Sequence, residues 1–467
     1  MRTLEILTAL FLLLSILRYV IPNRPRWLEL LPAATLVVSL LQIFIEGYRW
    51  QMVPIYTFST VLFLFSMPSL IKPVRKPAGA LWRRLVGLCI GLLLFVGATE
   101  LPILLPIPQL SKASGPYQVG TFSMMLIDNA RKELYSENPS DPRRIMIQVW
   151  YPAEPLPEDQ AAPWMDRADL IGPAISRFLD LPTFFLDHLK YVHSGAFLNS
   201  PVSHAQTAYP VLLFSHGWNG FRAQNTYQAI NFASNGFVVV AIDHTYGAVL
   251  TVFPDGELAY NNPQALPSNM SDQQYIPIAN KLANQWAGDL GFVLDTLQTM
   301  NENDPEHGLT GILDLEKVGV FGHSTGGGAT VEFCGRDPRC KAGLGLDAYL
   351  KPVSETILEV GLRQPFLFMF SETWPSEKNW DLFNELYLNS DNAKVLSIIG
   401  TSHYDFSDLP ILSPIAAQMG LKGPLSGDRV IKITSDYPLA FFNQVLYGIP
   451  TTLLNGPSPD YPEVVIP

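Results

Sequence analysis

Charge is scarce in this chain: Asp, Glu, Lys and Arg together make up 16% of its 467 residues. With a positive mean hydropathy, that is too apolar for an ordinary soluble enzyme of this length, and it implies that some segments sit in lipid. Basic residues are the scarcer sign, 31 against 42 acidic, for a net charge of −11. That balance argues against a nucleic-acid partner, whose phosphates call for patches of Lys and Arg. Cysteine is nearly missing: Cys89 lies in an apolar run, and Cys334 and Cys340 stand six positions apart. No internal repeat or low-complexity tract is present, so the length reads as two or three ordinary units.

What is there begins with four apolar runs, residues 4–21, 27–45, 50–71 and 85–105. Each is near the roughly 20 residues that a helix needs to cross about 30 Å of hydrocarbon. The third run has no charged residue, and elsewhere charges such as Glu29, Glu46 and Glu100 fall near the run ends. A single run of this kind is compatible with a buried core helix. Four in succession, joined by short basic or aromatic loops, predict transmembrane helices. The first run has a weak basic start, Arg2, and no small-x-small cleavage site, which favours an uncleaved helix over a signal peptide. Loop Lys and Arg set the orientation. The first loop carries Arg18, Arg24 and Arg26, the third carries Lys72, Arg75, Lys76, Arg83 and Arg84, and the second only Arg49. Loops one and three are therefore expected in the cytoplasm, with the domain after the spans on the extracytoplasmic side. Transport by the spans themselves is disfavoured, because almost no charge lies within them.

Pro106 and Pro108 disfavour continuation of the last helix. They divide the chain into a membrane region, residues 1–106, and a globular domain, residues 107–467. Strand-like runs at 117–127 and 145–151 flank a turn-forming stretch and predict an antiparallel hairpin. Short β-branched runs follow at 211–215, 237–242, 318–321, 342–346, 366–370 and 394–399, alternating with helix-length segments. Residues 273–300 place Ile278, Leu282, Trp286, Leu290, Val293 and Leu297 at helical spacing, and residues 437–447 read as a closing helix. This alternation predicts an α/β fold, a mainly parallel sheet with helices on both faces. The Pro- and aromatic-rich stretch 153–209 breaks the pattern and reads as an insertion, either a lid or a surface that rests on the membrane.

Gly322-His323-Ser324-Thr325-Gly326 follows one of the expected strands and opens a helix. That is the context of the G-x-S-x-G nucleophile elbow of the α/β-hydrolase fold. The turn needs small flanking residues, and the helix after it aims free N–H groups at a developing oxyanion. An inert serine at a Gly-rich junction is the plain alternative. His216-Gly217-Trp218 follows the strand 211–215, where the second oxyanion donor of this fold arises. The expected donors are the backbone amides of Trp218 and Thr325, although His216-Gly217 also suits an ordinary tight turn.

In this fold the chain order is Ser, then Asp or Glu, then His. The chain has eight histidines, and only His403 lies beyond Ser324, directly after the strand 394–399. That is where a general base belongs. Asp347 ends the strand 342–346 and is the preferred acid. Asp405 and Asp408 lie very near His403 in sequence, Asp381 lies in a helical stretch, and Asp243 precedes the serine. The sequence by itself leaves the acid open among them.

Four segments together carry a resemblance: Ser215-His216-Gly217-Trp218-Asn219-Gly220-Phe221-Arg222, Gly322-His323-Ser324-Thr325-Gly326-Gly327, Leu346-Asp347 and Ser402-His403. With Gly115-Pro116-Tyr117-Gln118-Val119-Gly120 and Val149-Trp150-Tyr151-Pro152-Ala153, the stretch 115–447 resembles the platelet-activating-factor acetylhydrolase family and its bacterial dienelactone-hydrolase-like relatives. The resemblance implies an α/β-hydrolase fold, the triad Ser324, Asp347 and His403, and no metal or other cofactor. Thr325 stands where the animal enzymes have Phe, Trp218 where they have Leu, and the four spans are an addition.

These readings converge on a membrane-anchored serine hydrolase that cleaves carboxylic esters, short-acyl or phospholipid-type, through an acyl-enzyme. A lipase or phospholipase acting on long-chain lipids is the alternative among enzymes. A catalytically silent hydrolase fold used for binding is the alternative outside them. The expected partners are an ester or lipid substrate and the bilayer. Cys334 and Cys340 can pair if the domain lies outside the cytoplasm, and two unpaired thiols fit the sequence equally well.

Overall fold

The computed structural model describes residues 1–21, 25–71, 81–110, 113–374 and 377–467. Arg24, Lys72, Arg75 and Lys76, which carry part of the loop-charge argument, lie outside the described residues. The chain forms two compact units, Met1–Pro108 with Leu412–Ile415, and Gln109–Ile411 with Ala416–Pro467.

The first unit is helical: α1 (Thr3–Leu17), α2 (Leu31–Ile45), α3 (Val53–Ile71) and α4 (Leu81–Leu104). With the 3-10 turns that adjoin them, they give, among the described residues, four helical spans long and apolar enough to cross a membrane: Thr3–Val20, Arg26–Ile45, Trp50–Pro68 and Leu81–Leu104. Their packing is polar within and apolar without. Leu12, Ile16, Met52 and Ile55 are buried, but so are Thr8, Ser15, Thr35, Ser39, Gln42 and Ser59. Phe44, Ile45, Phe65 and Leu93 point outward. Glu5 and Arg49, near helix ends, form a fully buried ion pair at 3.1 Å, and Arg49 also donates to the carbonyl of Leu105 at 2.6 Å.

The second unit is built on an eleven-stranded sheet. A long antiparallel hairpin starts it: β1 (Gln118–Lys132) and β2 (Pro142–Ala153) run in register from Gln118 opposite Ala153. Two strands within the expected insertion, β3 (Ala161–Pro163) and β4 (His193–Leu198), extend the sheet beyond β1. Helix α5 (Ala168–Phe178) lies between them in sequence. Then come β5 (Tyr209–Ser215), α6 (Thr226–Ser234) and β6 (Val238–Asp243), followed by a separate ribbon, β7 (Leu250–Val252) with β8 (Leu258–Tyr260). The remaining elements are α7 (Asp272–Glu302), β9 (Leu313–His323), α8 (Thr325–Cys334), β10 (Cys340–Leu346), α9 (Glu355–Val360), β11 (Phe366–Ser371), α10 (Glu377–Asn389) and β12 (Ala393–Ile398). Helix Gly427–Phe442 and β13 (Val464–Val465) close the unit. The sheet order is β13-β12-β11-β10-β9-β5-β6-β2-β1-β4-β3. The six strands from β12 to β6 are mutually parallel.

Period-two alternation sorts the side chains between two cores. Val211 and Leu213 of β5, with Val238, Val240 and Ile242 of β6, join the core beneath α7, α8, α9 and α10. Leu212, Phe214, Val239 and Ala241 join the core beneath α6 and helix Gly427–Phe442. Both faces are therefore covered, which is why these strands read as nearly continuous apolar runs. Burying each large side chain contributes about 1.5–3 kcal/mol. Helix Gly427–Phe442 begins well before the closing helix expected from sequence. Val430, Ile431, Ile433 and Thr434, β-branched and so unpromising for a helix, are buried at helical spacing together with Tyr437, Phe441 and Phe442.

A disulfide joins Cys334, at the end of α8, to Cys340, at the start of β10. Peptide mapping without reductant is expected to recover this crosslink. Cys334→Ser should lower the unfolding free energy of the unit by about 2 kcal/mol, and a urea midpoint unmoved by reductant would contradict it.

Candidate active site

The loops after β5, β9, β10 and β12 gather at the carboxyl ends of the parallel strands, where ligands bind in open α/β sheets. Ser324 sits between β9 and α8 at φ 55°, ψ −119°, a conformation that costs a non-glycine residue on the order of 1–3 kcal/mol. Backbone bonds hold it there. Its N–H donates to Leu346 O at 2.9 Å, and its own carbonyl accepts from Tyr349 N–H at 2.8 Å and Gly328 N–H at 3.1 Å. Glycine is required on both sides by close approach: a Cβ on Gly322 would lie 2.2 Å from Gly326 O, and one on Gly326 would lie 2.1 Å from Ser215 O. Ser324 is half-buried, open to the outside on one side.

The loop after β5 reaches the same place. A Cβ on Gly217 would lie 3.3 Å from Ser324 Cβ. Around it the backbone donors are spoken for: Gly217 N–H bonds Gln224 Oε1 at 3.3 Å, and Asn219 N–H bonds Gly247 O at 3.0 Å. The amides of Trp218 and Thr325 have no such partner among the described residues, so two donors are left beside Ser324.

Asp347 ends β10 fully buried. Its carboxylate accepts from Ser371 N–H and Ser371 Oγ–H, each at 2.7 Å, and from His403 Nδ1 at 3.1 Å. The structure thus brings Asp347 and His403 together. The Nδ1 proton faces Asp347 and leaves Nε2 as the basic nitrogen. Trp374 stacks on the His403 ring at 4.1 Å, and the His323 ring packs against it at 4.5 Å. No hydrogen bond joins Ser324 Oγ to His403 among the described residues. Such bonds are often long before substrate binds.

Each rival acid is engaged elsewhere. Asp405 accepts from Ser402 N–H and Gly423 N–H. Asp408 accepts from Trp164 Nε1 and from the first amides of α6, Thr226 and Tyr227. Asp243 pairs with the buried guanidinium of Arg222, and Asp381 is exposed on α10. A further group was not foreseen from sequence: His244, Asp289, Arg143 and Trp286, buried together behind the loop after β5. The available signal was Asp289 itself, an acid set three residues after Trp286 on the apolar stripe of α7.

Burial drives both members of the Asp347–His403 pair toward their neutral forms. It pushes Asp347 up to about 7, while the two hydrogen bonds from Ser371 favour the carboxylate. It draws His403 down to about 4 and, with His403 close by, His323 to about 3. Near neutral pH the His403 imidazole is thus uncharged and able to accept a proton.

The sheet, its two helical layers and the turn at Ser324 define an α/β-hydrolase, and the protein is a carboxylic ester hydrolase. The chain belongs to the family of platelet-activating factor acetylhydrolase, isoform II, which matches residues 106–448. The platelet-activating factor acetylhydrolase of Cavia porcellus is 24% identical over 358 residues, 72% of this chain and 77% of that protein. A probable 1-alkyl-2-acetylglycerophosphocholine esterase of Arthroderma benhamiae is 25% identical over 392 residues, 76% of this chain and 93% of its own. Among solved structures, a ferulic acid esterase from Streptomyces cinnamoneus superposes with a TM-score of 0.63 at 26% identity, covering 77% of this chain and 99% of that one.

If His403 is the base, activity requires its neutral form, which is present above its pKa and lost as pH falls through it. Because burial lowers that pKa, kcat/KM for a neutral ester should hold well below the ordinary histidine value of about 6.5. A pH–rate profile with its acid midpoint at or above 6.5 would contradict this.

Proposed function

We propose that Ser324, His403 and Asp347 form the catalytic triad of a membrane-anchored serine esterase. The observation that carries this reading is the His403–Asp347 hydrogen bond, set on the loops that flank the strained turn at Ser324. His403 Nε2 takes the proton of Ser324 as Oγ attacks the ester carbonyl. The tetrahedral oxyanion is held by the amides of Trp218 and Thr325, each worth on the order of 3 kcal/mol in the transition state. The alcohol leaves with the proton from His403, and water then releases the acid from the acyl-enzyme by the same steps. Asp347 holds the His403 tautomer and stabilises the imidazolium.

The substrate class is short-acyl or phospholipid-type esters. Its support is the names of the relatives, acetylhydrolases and an alkylacetylglycerophosphocholine esterase. The region 1–106 anchors the domain 107–467 in the bilayer, supported by the four long apolar helices. The catalytic domain is assigned to the extracytoplasmic side, for which the support is the loop charges and a disulfide of the kind that oxidising compartments favour. Protease added to intact cells should digest the domain, and its full protection would reverse the orientation.

Ser324→Ala and His403→Ala are expected to lower turnover of p-nitrophenyl butyrate by about 10⁴–10⁶-fold. Asp347→Asn should be nearly as severe, whereas Asp405→Asn should retain turnover. Hydrolysis that survives Ser324→Ala would remove the serine from the mechanism. A panel running from acetyl to long-chain phospholipid esters tests the substrate class, and a clear preference for long chains would favour the lipase reading instead.

A further inference from the structure

Behind the loop after β5 lies a second Ser–His–Asp relay. Ser215 Oγ is 2.8 Å from His244 Nε2, and His244 Nδ1 is 2.9 Å from Asp289 Oδ2. Ser215, His244 and Asp289 are each fully buried, so no ester reaches this serine and the relay is not a second active site. What it does follows from which groups can only donate and which can only accept. Arg143 donates to both oxygens of Asp289, at 3.0 and 2.6 Å, and Arg131 donates to Asp289 Oδ1 at 2.9 Å. Burial alone would raise the pKa of Asp289, but these guanidinium groups and His244 outweigh it and hold the carboxyl ionised, well below its usual range. An ionised carboxylate only accepts, so His244 carries its proton on Nδ1, and Nε2 accepts from Ser215 Oγ–H. Trp286 lies flat on the His244 ring, 4.2 Å away at 6°.

The fixed His244 then sets its neighbour. The backbone N–H of His244 points at His216 Nε2, 3.1 Å away. A backbone N–H only donates, so His216 Nε2 is unprotonated and the His216 proton lies on Nδ1. That nitrogen is 2.7 Å from Gly217 O, to which it therefore donates. Burial, with the neighbouring His244, keeps the imidazole of His216 neutral. Gly217 O also accepts from Gly220 N–H at 2.8 Å. The carbonyl of Gly217 and the N–H of Trp218 belong to one planar peptide unit, and in a trans peptide they point in opposite directions. Drawing the carbonyl toward His216 turns the Trp218 N–H the opposite way, and the adjoining Gly217 lies beside Ser324, where an added Cβ would be 3.3 Å from Ser324 Cβ.

We propose that His216, with its tautomer set by the backbone N–H of His244, is a positioning residue that aims the Trp218 amide at the oxyanion. It touches no substrate and acts through the Gly217–Trp218 peptide. This assignment rests on the proposed esterase mechanism and adds to it the reason that the oxyanion site is ready before substrate arrives.

The test compares two substitutions at one position in the full-length protein. His216→Leu removes the donor to Gly217 O. His216→Asn keeps an amide N–H close to where Nδ1 lies. With p-nitrophenyl butyrate, and with rates scaled to the Ser324 that a fluorophosphonate titrates, His216→Leu should lower kcat by about 10²–10³-fold, the effect of losing one oxyanion donor. KM should change by less than about threefold, because the donor acts on the transition state. Inhibition by a trifluoromethyl ketone, which forms a tetrahedral adduct, should weaken by the same factor as kcat/KM. His216→Asn should regain most of both losses. Should His216→Leu leave kcat intact, or should Leu and Asn fall equally, the assignment is overturned. A rise in KM as large as the loss of adduct affinity would point to general disorder of the loop and overturn it too. Ser324→Ala in parallel separates the two levels. If it abolishes turnover while His216→Leu does not lower kcat, only the positioning role fails. If it leaves turnover intact, the serine mechanism fails.

Discussion

The site rests on one contact that only glycine permits, the approach of Gly326 to the carbonyls of Ser215 and His216. A Cβ there would lie 2.1 and 2.4 Å from those two oxygens. The contact lets α8 begin directly against the end of β5, and it closes the turn that holds Ser324 at φ 55°. Ser324 and Tyr349 are joined through the backbone, as are Ser324 and Leu346, so the turn also fixes the chain on either side of Asp347. The turn is thereby held against the loops after β5 and β10, and each of these loops brings a group that the proposed chemistry uses.

Half of the eight histidines in the chain lie in this region, and their hydrogen-bond partners place their protons. His216 Nε2 faces a backbone N–H. His244 Nδ1 faces an ionised carboxylate. His323 Nε2 faces the carbonyl of His403, so its Nδ1 accepts from Gln224. His403 Nδ1 faces Asp347. Burial lowers the pKa of all four, and neutral rings in fixed tautomers result. Of these four, only His403 keeps a ring nitrogen, Nε2, with no hydrogen bond found among the described residues. That asymmetry supports the proposed role of His403 as the base, because the other three rings have both nitrogens engaged.

The sequence made the parallel strands plain, because strands covered on both faces are apolar throughout and bounded by turn residues. The short strands β3, β4, β7, β8 and β13 were not legible. At two to six residues they carry too little alternation, and their pairing is decided by the edges they meet. The span 153–209 read as an insertion because Pro and aromatic residues hide its period, and β3 and β4 within it add to the sheet at β1. Ser324 and His403 stood out by motif and by the scarcity of histidine. Asp347 needed the strand end to be placed. The relay through Asp289, His244 and His216 joins residues from α7, the end of β6 and the end of β5, and pairing at such separation has no local signature. Whether Cys334 and Cys340 meet was likewise undecidable from spacing, and depended on where α8 stops against β10.

The low charge that marks the sequence has its counterpart in the inverted build of the first unit. In water, helices associate by burying apolar faces. In hydrocarbon that drive is missing, and packing with hydrogen bonds between helices takes its place. Ser15 of α1 shares a hydrogen bond with Thr35 of α2 at 2.9 Å, Gln42 of α2 accepts from Tyr56 of α3, and Arg18, just after α1, donates to Ser66 of α3 at 2.6 Å. The first three helices are thus tied together by polar atoms that water would otherwise solvate. The Glu5–Arg49 pair extends the same logic to full charges. Its desolvation is costly, and Arg49 offsets part of that cost by donating to Leu105 O as well as to Glu5. An interior of this kind would gain little over solvent in an aqueous protein. It suits the proposed membrane anchor, whose outer residues, Phe44, Phe65 and Leu93 among them, are apolar.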